Sequence, residues 1–292
     1  MQNPTPAPTI VITGATSGLG RIAATELARQ GARLVLTARS EQRAEQTRAE
    51  IQAAAPDTDV EVFLGDFTLS AAVRRLGKSI ADRYEHVDVL INNAGLHAFE
   101  QRITPDGYPE MIAVNYFAPW LLTRELLPTL TRTPGARIVN VGSEASRRHG
   151  VLALPGDLTD TRPFTARGSS PLYGKSKLLD IMFTLELARR IEGTGVTANV
   201  LDPGFNVTGL GRELGFAAPL ERLLTRFRIG NPRRGAGLIV KLATHPSFTG
   251  KNGGYYTVNG TKRLIPTHPG NDVVWQSRLW TETERLLDAN QY

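Results

Sequence analysis

Tyr173 and Lys177 stand four residues apart, a spacing that places both side chains on one face of a helix. A free phenol has a pKa near ~10, too high for ready proton exchange at neutral pH, but a neighbouring cation favours the phenolate. The pair therefore predicts a tyrosine that acts as an acid and a base. Lys175 is closer along the chain, yet two residues of helix turn its side chain roughly 200° away, so geometry selects Lys177. The spacing alone is equally consistent with a tyrosine that only packs or lies on the surface.

A glycine-rich stretch near the start of the chain has the character of a phosphate-binding turn. It follows the apolar run 9–13 and leads into a helical pattern. Glycine permits a tight turn and close approach of a pyrophosphate, and the N–H groups that open the next helix attract phosphates. The stretch therefore predicts a dinucleotide site, formed by Gly14, Thr16, Ser17, Gly18, Leu19 and Gly20.

The residues that end the second apolar run indicate which dinucleotide is bound. An NAD site usually offers an acid here to the ribose hydroxyls, but this chain has Arg39 and Ser40. A guanidinium presents a planar fork of donors that suits a 2′-phosphate, and the serine hydroxyl adds a contact. We therefore predict NADP(H), with Arg39 at the start of an exposed helix as the simpler alternative. Asp66 follows the third run, where it would either bond the adenine amino group or cap its own loop.

Composition narrows the class of protein. Of the 292 residues, 41% are hydrophobic and 21% are charged, which is typical of a globular domain, and there is no run of eighteen apolar residues. The absence of cysteine excludes disulfides, thiolate metal sites and cysteine nucleophiles, and no other metal site is predicted. The net charge of +6 is spread along the chain, which favours a basic surface over a nucleic-acid site. We expect a cytoplasmic protein, with a mobile lead-in over residues 1–8 that lacks the features of a signal peptide.

Apolar runs typical of buried parallel strands alternate with helical patterns along the chain. The predicted strands are 9–13, 33–37, 60–64, 87–91, 137–141, 196–201 and 254–258. The predicted helices are 19–30, 41–54, 69–84, 108–130, 172–192 and a closing helix over 271–290. Right-handed crossovers wind such a chain into one α/β domain over residues 9–292. Its fold class is a doubly wound, Rossmann-type parallel sheet of about seven strands with helices on both faces. Ligands then bind beyond the carboxyl ends of the strands.

Six segments in order resemble the short-chain dehydrogenase/reductase superfamily over nearly the whole chain. They are Thr13 to Gly20; Asp66; Asn92-Asn93-Ala94-Gly95; Asn115; Ser143 with Tyr173 and Lys177; and Pro203-Gly204 followed by Thr208. The resemblance implies hydride transfer at a nicotinamide, with a positioned acid that protonates the developing alkoxide. Phe67 departs from the leucine that commonly follows the adenine-site aspartate.

The resemblance also implies a role for each matched residue. Tyr173 would transfer the proton, Ser143 would bind the substrate oxygen, and Lys177 would bind the nicotinamide ribose and lower the pKa of the phenol. Asn115 would hold a proton-relay water, and the equal alternative is that its side chain makes a simple buried hydrogen bond. For Ser143, the alternative is that its side chain caps a helix. The remaining cofactor contacts would come from Asp66, Phe67, Asn93, Ala94, Gly95, Pro203, Gly204 and Thr208.

Thirty residues separate Ser143 from Tyr173, more than in many family members, and this resembles the branch that contains retinol dehydrogenases. The ending Trp280-Thr281-Glu282-Thr283-Glu284-Arg285-Leu286 also resembles that branch. A substrate region is expected near 145–170 and 205–231. The second segment is apolar and punctuated by arginines, which favours a lid over a hydrophobic pocket; contact with a membrane surface or a partner is the alternative. His97 and His149 flank the cleft and are not assigned to catalysis.

The prediction is an NADP(H)-dependent oxidoreductase that acts on a lipophilic ketone, aldehyde or alcohol. Two alternatives remain open, a carbon–carbon double-bond reductase of the same family and a cofactor-sensing interaction protein without turnover. Nucleic-acid binding is not expected. A homodimer or homotetramer is expected only by analogy with the family, whose members pair helices near 108–130 and 172–192.

Overall fold

A single sheet of parallel strands forms the centre of the molecule. The computed structural model describes residues 7–204, 231–258 and 263–289. The strands are β1 (Thr9–Thr13), β2 (Arg33–Ala38), β3 (Val60–Leu64), β4 (Val89–Asn92), β5 (Arg137–Val141), β6 (Thr197–Asp202) and β7 (Tyr255–Thr257). Their order across the sheet is β3-β2-β1-β4-β5-β6-β7, and every neighbouring pair is parallel. The predicted doubly wound fold is confirmed.

Helices cover both faces of this sheet. They are α1 (Gly18–Arg29), α2 (Glu41–Ala54), α3 (Ser70–Arg83), α4 (Glu110–Ile112), α5 (Ala118–Arg132), α6 (Ala166–Arg190), α7 (Pro232–Thr244) and α8 (Val273–Ala289). A π-helical turn, Ala113–Phe117, joins α4 to α5, and 3₁₀ turns lie at Glu144–Arg148, Gly156–Leu158 and Pro246–Phe248. The apolar side chains of α3, α5, α6 and α8 pack on one face, and those of α1, α2 and α7 pack on the other.

The predicted elements agree with those in the structure to within two residues except at two helices, and the helix α7 (Pro232–Thr244) was not predicted. The prediction began one helix at 172, but α6 begins at Ala166, so that Pro171 lies inside it. Proline removes a backbone donor and more often opens a helix than continues one, which explains the late start predicted. The other predicted helix, 108–130, is interrupted by the π turn, where the backbone bonds five residues back instead of four.

The closing helix α8 packs onto α6. Leu279 and Leu287 are buried in the core, and Trp280 stacks on Phe183 of α6 with the ring centroids 5.9 Å apart. The predicted closing helix is therefore confirmed. No helix in the described part of the chain is long and apolar enough to cross a membrane.

The order of the strands determines where a ligand can lie. Strand β1 has β2 on one side and β4 on the other, so the chain winds outward in two directions from the centre of the sheet. At such a reversal the connections after neighbouring strands leave on opposite faces, which opens a crevice at their carboxyl ends. The glycine-rich turn after β1 and the loops after β2, β4, β5 and β6 all meet at this edge.

Candidate active site

A cleft of about 960 Å³ lies at the carboxyl ends of the strands. Its walls contain every predicted cofactor residue that the structure describes, together with Ser143, Tyr173 and Lys177. Asn115 lies behind the wall, and Thr208 falls outside the described residues, as does most of the predicted lid at 205–231. The structure therefore brings together residues that are up to 190 positions apart in the sequence, from Gly14 to Gly204.

The glycine-rich turn fits the phosphates of a dinucleotide. Gly14 has a φ of +66°, and a Cβ at Gly20 would lie 2.4 Å from Nδ2 of Asn93 and 2.5 Å from O of Gly14. Only glycine therefore allows the turn to pack this closely against the loop after β4. The Ser17 side chain at the N-cap of α1 makes no capping hydrogen bond, which leaves the N–H groups of the first turn to bind an anion in the cleft.

Asn93 and Thr13 hold the turn in place. Nδ2 of Asn93 donates to O of Thr13 at 2.9 Å and to O of Gly14 at 3.2 Å. Oγ1 of Thr13 accepts hydrogen bonds from the backbone N–H groups of Asn93 and Ala94 at 3.0 and 2.9 Å. These hydrogen bonds join the end of β4 to the end of β1. Asn93 therefore acts on the cofactor site chiefly by fixing the backbone of the glycine-rich turn.

Two arginines lie at the mouth of the cleft where β2 ends. Arg39 and Arg43 are exposed and line the cleft, and neither makes an ion pair with any residue in 7–204, 231–258 or 263–289. Sequence analysis missed Arg43, although an arginine one turn beyond Arg39 was a readable signal. Oγ of Ser40 caps α2 by accepting from N of Arg43 at 3.4 Å, so this hydroxyl serves the helix as well as the cleft.

The side chain of Asp66 accepts hydrogen bonds within its own loop. Its Oδ1 accepts from both N and Oγ1 of Thr68, each at 2.9 Å, so the loop-capping alternative describes this oxygen. Asp66 and Phe67 still line the cleft near the end of β3, where they would flank an adenine ring. Phe67 also packs partly against the core, which accounts for a larger apolar residue at this position.

Ser143 and Tyr173 come together because a helix packs unusually close to a turn. A Cβ at Gly174 would lie 2.4 Å from O of Ala145, so glycine lets α6 press against the 3₁₀ turn that follows Ser143. Oγ of Ser143 accepts from N of Ala145 at 3.1 Å, which orients the hydroxyl and leaves its proton to donate into the cleft. The predicted cap and the predicted substrate contact are therefore compatible.

Burial acts against the lowered pKa that the resemblance implies for Tyr173. The resemblance implied a phenol with a lowered pKa, but burial raises the pKa of Tyr173 to about 12. Interaction with the Ser143 side chain opposes this rise, and the nearby carboxylates of Asp180 and Asp202 add to it. The desolvation of a phenolate outweighs the neighbouring donor, so Tyr173 is protonated at neutral pH and is suited to donate a proton.

Lys177 is held at the floor of the cleft. Its Nζ donates to O of Val141 at 2.7 Å and lies 3.8 Å from Oδ2 of Asp180. Burial lowers the pKa of Lys177, and the Asp180 carboxylate opposes that change. The ammonium is therefore fixed by a strand carbonyl and a buried carboxylate while its remaining donor capacity faces the cleft.

Lys175 forms an ion pair away from the cleft, and this pair has a structural role. Its Nζ lies 2.6 Å from Oδ1 of Asp157, whose other oxygen accepts from N of Ala153 at 2.6 Å. Both charged side chains are largely buried. This ion pair joins the loop between Ser143 and Tyr173 to α6. Lys177, and not Lys175, therefore lines the cleft.

Asn115 lies in the π turn and its side chain is hydrogen-bonded within the protein. Its Nδ2 donates to O of Leu96 and to Oγ of Ser176, both at 2.9 Å, and its Oδ1 accepts from N of Leu96 at 2.8 Å. Both amide hydrogens are therefore taken, while Oδ1 keeps a second lone pair. Asn115 fixes the loop after β4, as the buried hydrogen-bond alternative expects, and its role in holding a relay water stays a prediction.

Comparison with known proteins decides the family. The family model described as short chain dehydrogenase matches residues 8–154. Retinol dehydrogenase 14 from mouse is 35% identical over 96% of this chain and 85% of its own length; retinol dehydrogenase 13 from human is 31% identical over 97% and 85%. The chain belongs to the short-chain dehydrogenase family. Within this family it lies in the retinol dehydrogenase-like branch, and it is an oxidoreductase that acts on alcohol or carbonyl groups with a nicotinamide cofactor.

Solved structures agree with this short-chain dehydrogenase fold. An uncharacterised protein from Mycobacterium paratuberculosis superposes with a TM-score of 0.74 at 28% identity, over 98% of this chain and 96% of that one. A blue fluorescent protein from a metagenomic library, solved in complex with NADPH, gives a TM-score of 0.67 at 26% identity, over 87% and 97%.

Several residues that line the cleft of this dehydrogenase were not predicted. They flank the predicted positions and include Thr37, Gly65, Leu96, Val114, Glu144 and Asp202. His97, which was expected to flank the cleft, lines it, as do Arg147, Arg148 and Ser170 near the expected substrate region 145–170. Most of them neighbour a predicted residue, so proximity in sequence was the available signal. His149 is buried outside the cleft, where Nε2 contacts O of His268 at 3.2 Å. His97 contacts Tyr173 directly.

Proposed function

We propose that this protein is an NADP(H)-dependent carbonyl reductase and alcohol dehydrogenase for lipophilic substrates, with Tyr173 as its acid and base. The observation that carries the proposal is a protonated, half-buried phenol beside the Ser143 hydroxyl, in the same cleft as the glycine turn. An acid and a hydrogen-bond donor that share one site serve a substrate oxygen that gains negative charge.

The residues of the cleft divide this chemistry among themselves. The nicotinamide supplies or takes up the hydride when the cofactor is bound. Ser143 donates a hydrogen bond to the substrate oxygen, and Tyr173 gives its phenolic proton to that oxygen during reduction. Lys177 keeps a positive charge beneath the site and stabilises the phenolate that reduction leaves behind. In oxidation, the phenolate of Tyr173 accepts the alcohol proton.

Three observations support lipophilic substrates. The family relatives named above are retinol dehydrogenases, whose name specifies an apolar alcohol. Leu96 and Val114 line the cleft. The segment 205–231, which lies almost wholly outside the described residues, is apolar in sequence. We therefore propose a hydrophobic aldehyde, ketone or alcohol as the substrate. As a separate point, we propose that the protein is cytoplasmic. NADPH oxidation over such carbonyls tests the activity.

The two arginines at the end of β2 support NADP(H) over NAD(H), as does the NADPH complex of the metagenomic protein. Arg39→Ala should raise the KM for NADPH by about 10- to 100-fold, because a charge-assisted contact to the 2′-phosphate contributes roughly 1.5–3 kcal/mol. The KM for NADH should stay unchanged, and Arg43→Ala should act in the same direction. Arg33→Ala is the matched control, since Arg33 begins the same strand and pairs with Asp59 at the far end. An unchanged preference between NADPH and NADH in Arg39→Ala would defeat the assignment of NADP(H).

The raised pKa of Tyr173 predicts opposite pH dependences for the two directions of the reaction. A phenol with a pKa of about 12 keeps its proton, so reduction should be nearly independent of pH from about 6 to 9. Oxidation needs the phenolate, whose fraction rises about tenfold per pH unit below the pKa, so kcat for oxidation should climb throughout this range. Initial rates in both directions at saturating cofactor measure the profiles. A reduction rate that falls with a midpoint near neutral pH would contradict this account of Tyr173.

A further inference from the structure

An imidazole ring lies flat against the phenol of Tyr173. The centroids of the His97 and Tyr173 rings are 4.6 Å apart, and their planes differ by 15°. Phe99 stacks on His97 as well, at 4.5 Å and 29°. His97 is thus in stacking contact with two aromatic rings. Offset stacking of this kind favours one relative orientation of the rings.

The edge of the His97 ring is held by the helix that carries Tyr173. Nε2 of His97 lies 3.0 Å from Oγ of Ser169, and this hydroxyl donates to O of Ala166 at 2.8 Å. While this hydroxyl donates its one proton to Ala166, the contact with His97 uses Nε2–H as the donor. Ser169 is fully buried and stands one turn before Tyr173 on α6. The same face of α6 therefore carries both the phenol of Tyr173 and Ser169, which orients the His97 ring.

The backbone of His97 is fixed from the other side. Both N and O of the preceding residue, Leu96, are bonded to the amide of Asn115. Asn115 also donates to Ser176 of α6, so the loop after β4 is pinned to the same helix at a second point. The position of the imidazole is thus determined by contacts on its ring, on its edge and through its backbone.

We propose that His97 is a positioning residue that fixes the plane of the Tyr173 ring, and with it the direction of the hydroxyl, during proton transfer. The proposal rests on the proposed function. A phenol turns about two side-chain bonds, and a small error in the direction of its proton slows the transfer. The stack with His97 limits rotation of the Tyr173 ring, whereas Ser143 and Lys177 stabilise the charge on the substrate oxygen and on the phenolate.

Three variants separate positioning from a merely structural role. His97→Ala removes the stack and should lower kcat for carbonyl reduction by about 10- to 100-fold, with the KM for NADPH nearly unchanged. His97→Phe keeps an aromatic face against Tyr173 and should restore kcat to within about threefold of the wild type. Ser169→Ala frees only the edge of the ring and should give an intermediate loss. His86→Ala, at an exposed site, is the control and should have wild-type kinetics.

Fluorine NMR of protein that carries 3-fluorotyrosine tests the contact without any substrate. Tyr173→Phe assigns the resonance of Tyr173, which should shift and broaden in His97→Ala and stay sharp in His97→Phe, because the stacked ring is lost only in the first. An unchanged resonance in His97→Ala overturns the proposal, as does an unchanged kcat in a protein that reduces carbonyls. A rise in the carbonyl KM with constant kcat would make His97 a substrate contact and also overturns it. A wild-type protein that binds NADPH but reduces no carbonyl defeats the proposed function itself, and the positioning role with it.

Discussion

Replacing Tyr173 by Phe is expected to lower kcat for carbonyl reduction by about 10²- to 10⁴-fold, the usual contribution of a positioned general acid. The phenyl ring keeps the shape of the side chain and its stack on His97, so only the hydroxyl is lost. The affinity for NADPH should change by less than about threefold, because the proton donor acts in the transition state more than in cofactor binding. Stopped-flow turnover and NADPH fluorescence titration measure the two quantities separately.

Tyr84→Phe provides the matched control for this loss. Tyr84 has a buried ring, and its hydroxyl bonds to the Glu61 carboxylate outside the cleft. Its kcat should equal that of the wild type. If Tyr173→Phe retained full activity, the acid in this reaction would have to be another group, and the assignment of Tyr173 would be wrong.

Gly20→Ala is expected to cause a large loss of cofactor binding. The added Cβ would lie 2.4 Å from Nδ2 of Asn93 and 2.5 Å from O of Gly14, so the turn must open or the loop after β4 must move. Overpacking of this kind costs roughly 1–3 kcal/mol, which corresponds to an increase of up to about 100-fold in the Kd for NADPH. Titration calorimetry with NADPH measures the change.

Gly237→Ala shows whether the loss is specific to the turn. Gly237 lies in α7, where a Cβ would meet no atom within 4 Å. Alanine favours the helix by up to about 1 kcal/mol relative to glycine, so this variant should be at least as stable as the wild type and bind NADPH equally well. Equal NADPH affinity in Gly20→Ala and the wild type would show that the cofactor phosphates bind elsewhere.

The sheet and most of the cleft could be predicted from the sequence because their signals are local. Strands β1, β3 and β5 coincide with their predicted bounds. β1 and β5 are apolar runs buried inside the sheet, and β3, at its edge, is a β-rich run that is partly buried. Residues such as Gly14, Ser143 and Pro203 follow a strand within two residues, and the carboxyl ends of parallel strands meet at one edge. Motifs that are far apart in sequence were therefore predictable as one site.

The contacts that orient the catalytic side chains could not be predicted in this way. The stack of His97 on Tyr173 and the two hydrogen bonds between Asn115 and Leu96 join different elements. They depend on the early start of α6 and on the π turn, neither of which has a distinct periodicity. The close approach at Gly174 depends on the path of the loop after β5, which a glycine inside a helical pattern does not specify.

The pKa of Tyr173 shows why a pair of residue types is not enough to predict chemistry. Spacing predicted a neighbouring cation, and the structure does place Lys177 in the cleft. Burial is a property of the whole site, however, and here it outweighs the nearby donor and raises the pKa to about 12. Sequence identified the groups, but the direction of the pKa shift came from their surroundings.

The most direct test of the account is to follow deuterium from NADPH labelled at C4 into the product of benzylideneacetone, a hydrophobic ketone that also has a carbon–carbon double bond. Each of the two C4-labelled epimers is used in a separate reaction, and the products are analysed by mass spectrometry and NMR. We predict an allylic alcohol with deuterium on the carbinol carbon from one of the two epimers, formed about 10²- to 10⁴-fold more slowly with Tyr173→Phe. A saturated ketone with deuterium on its carbon chain, or tight NADPH binding without transfer to this or any other hydrophobic carbonyl, would contradict the proposed function.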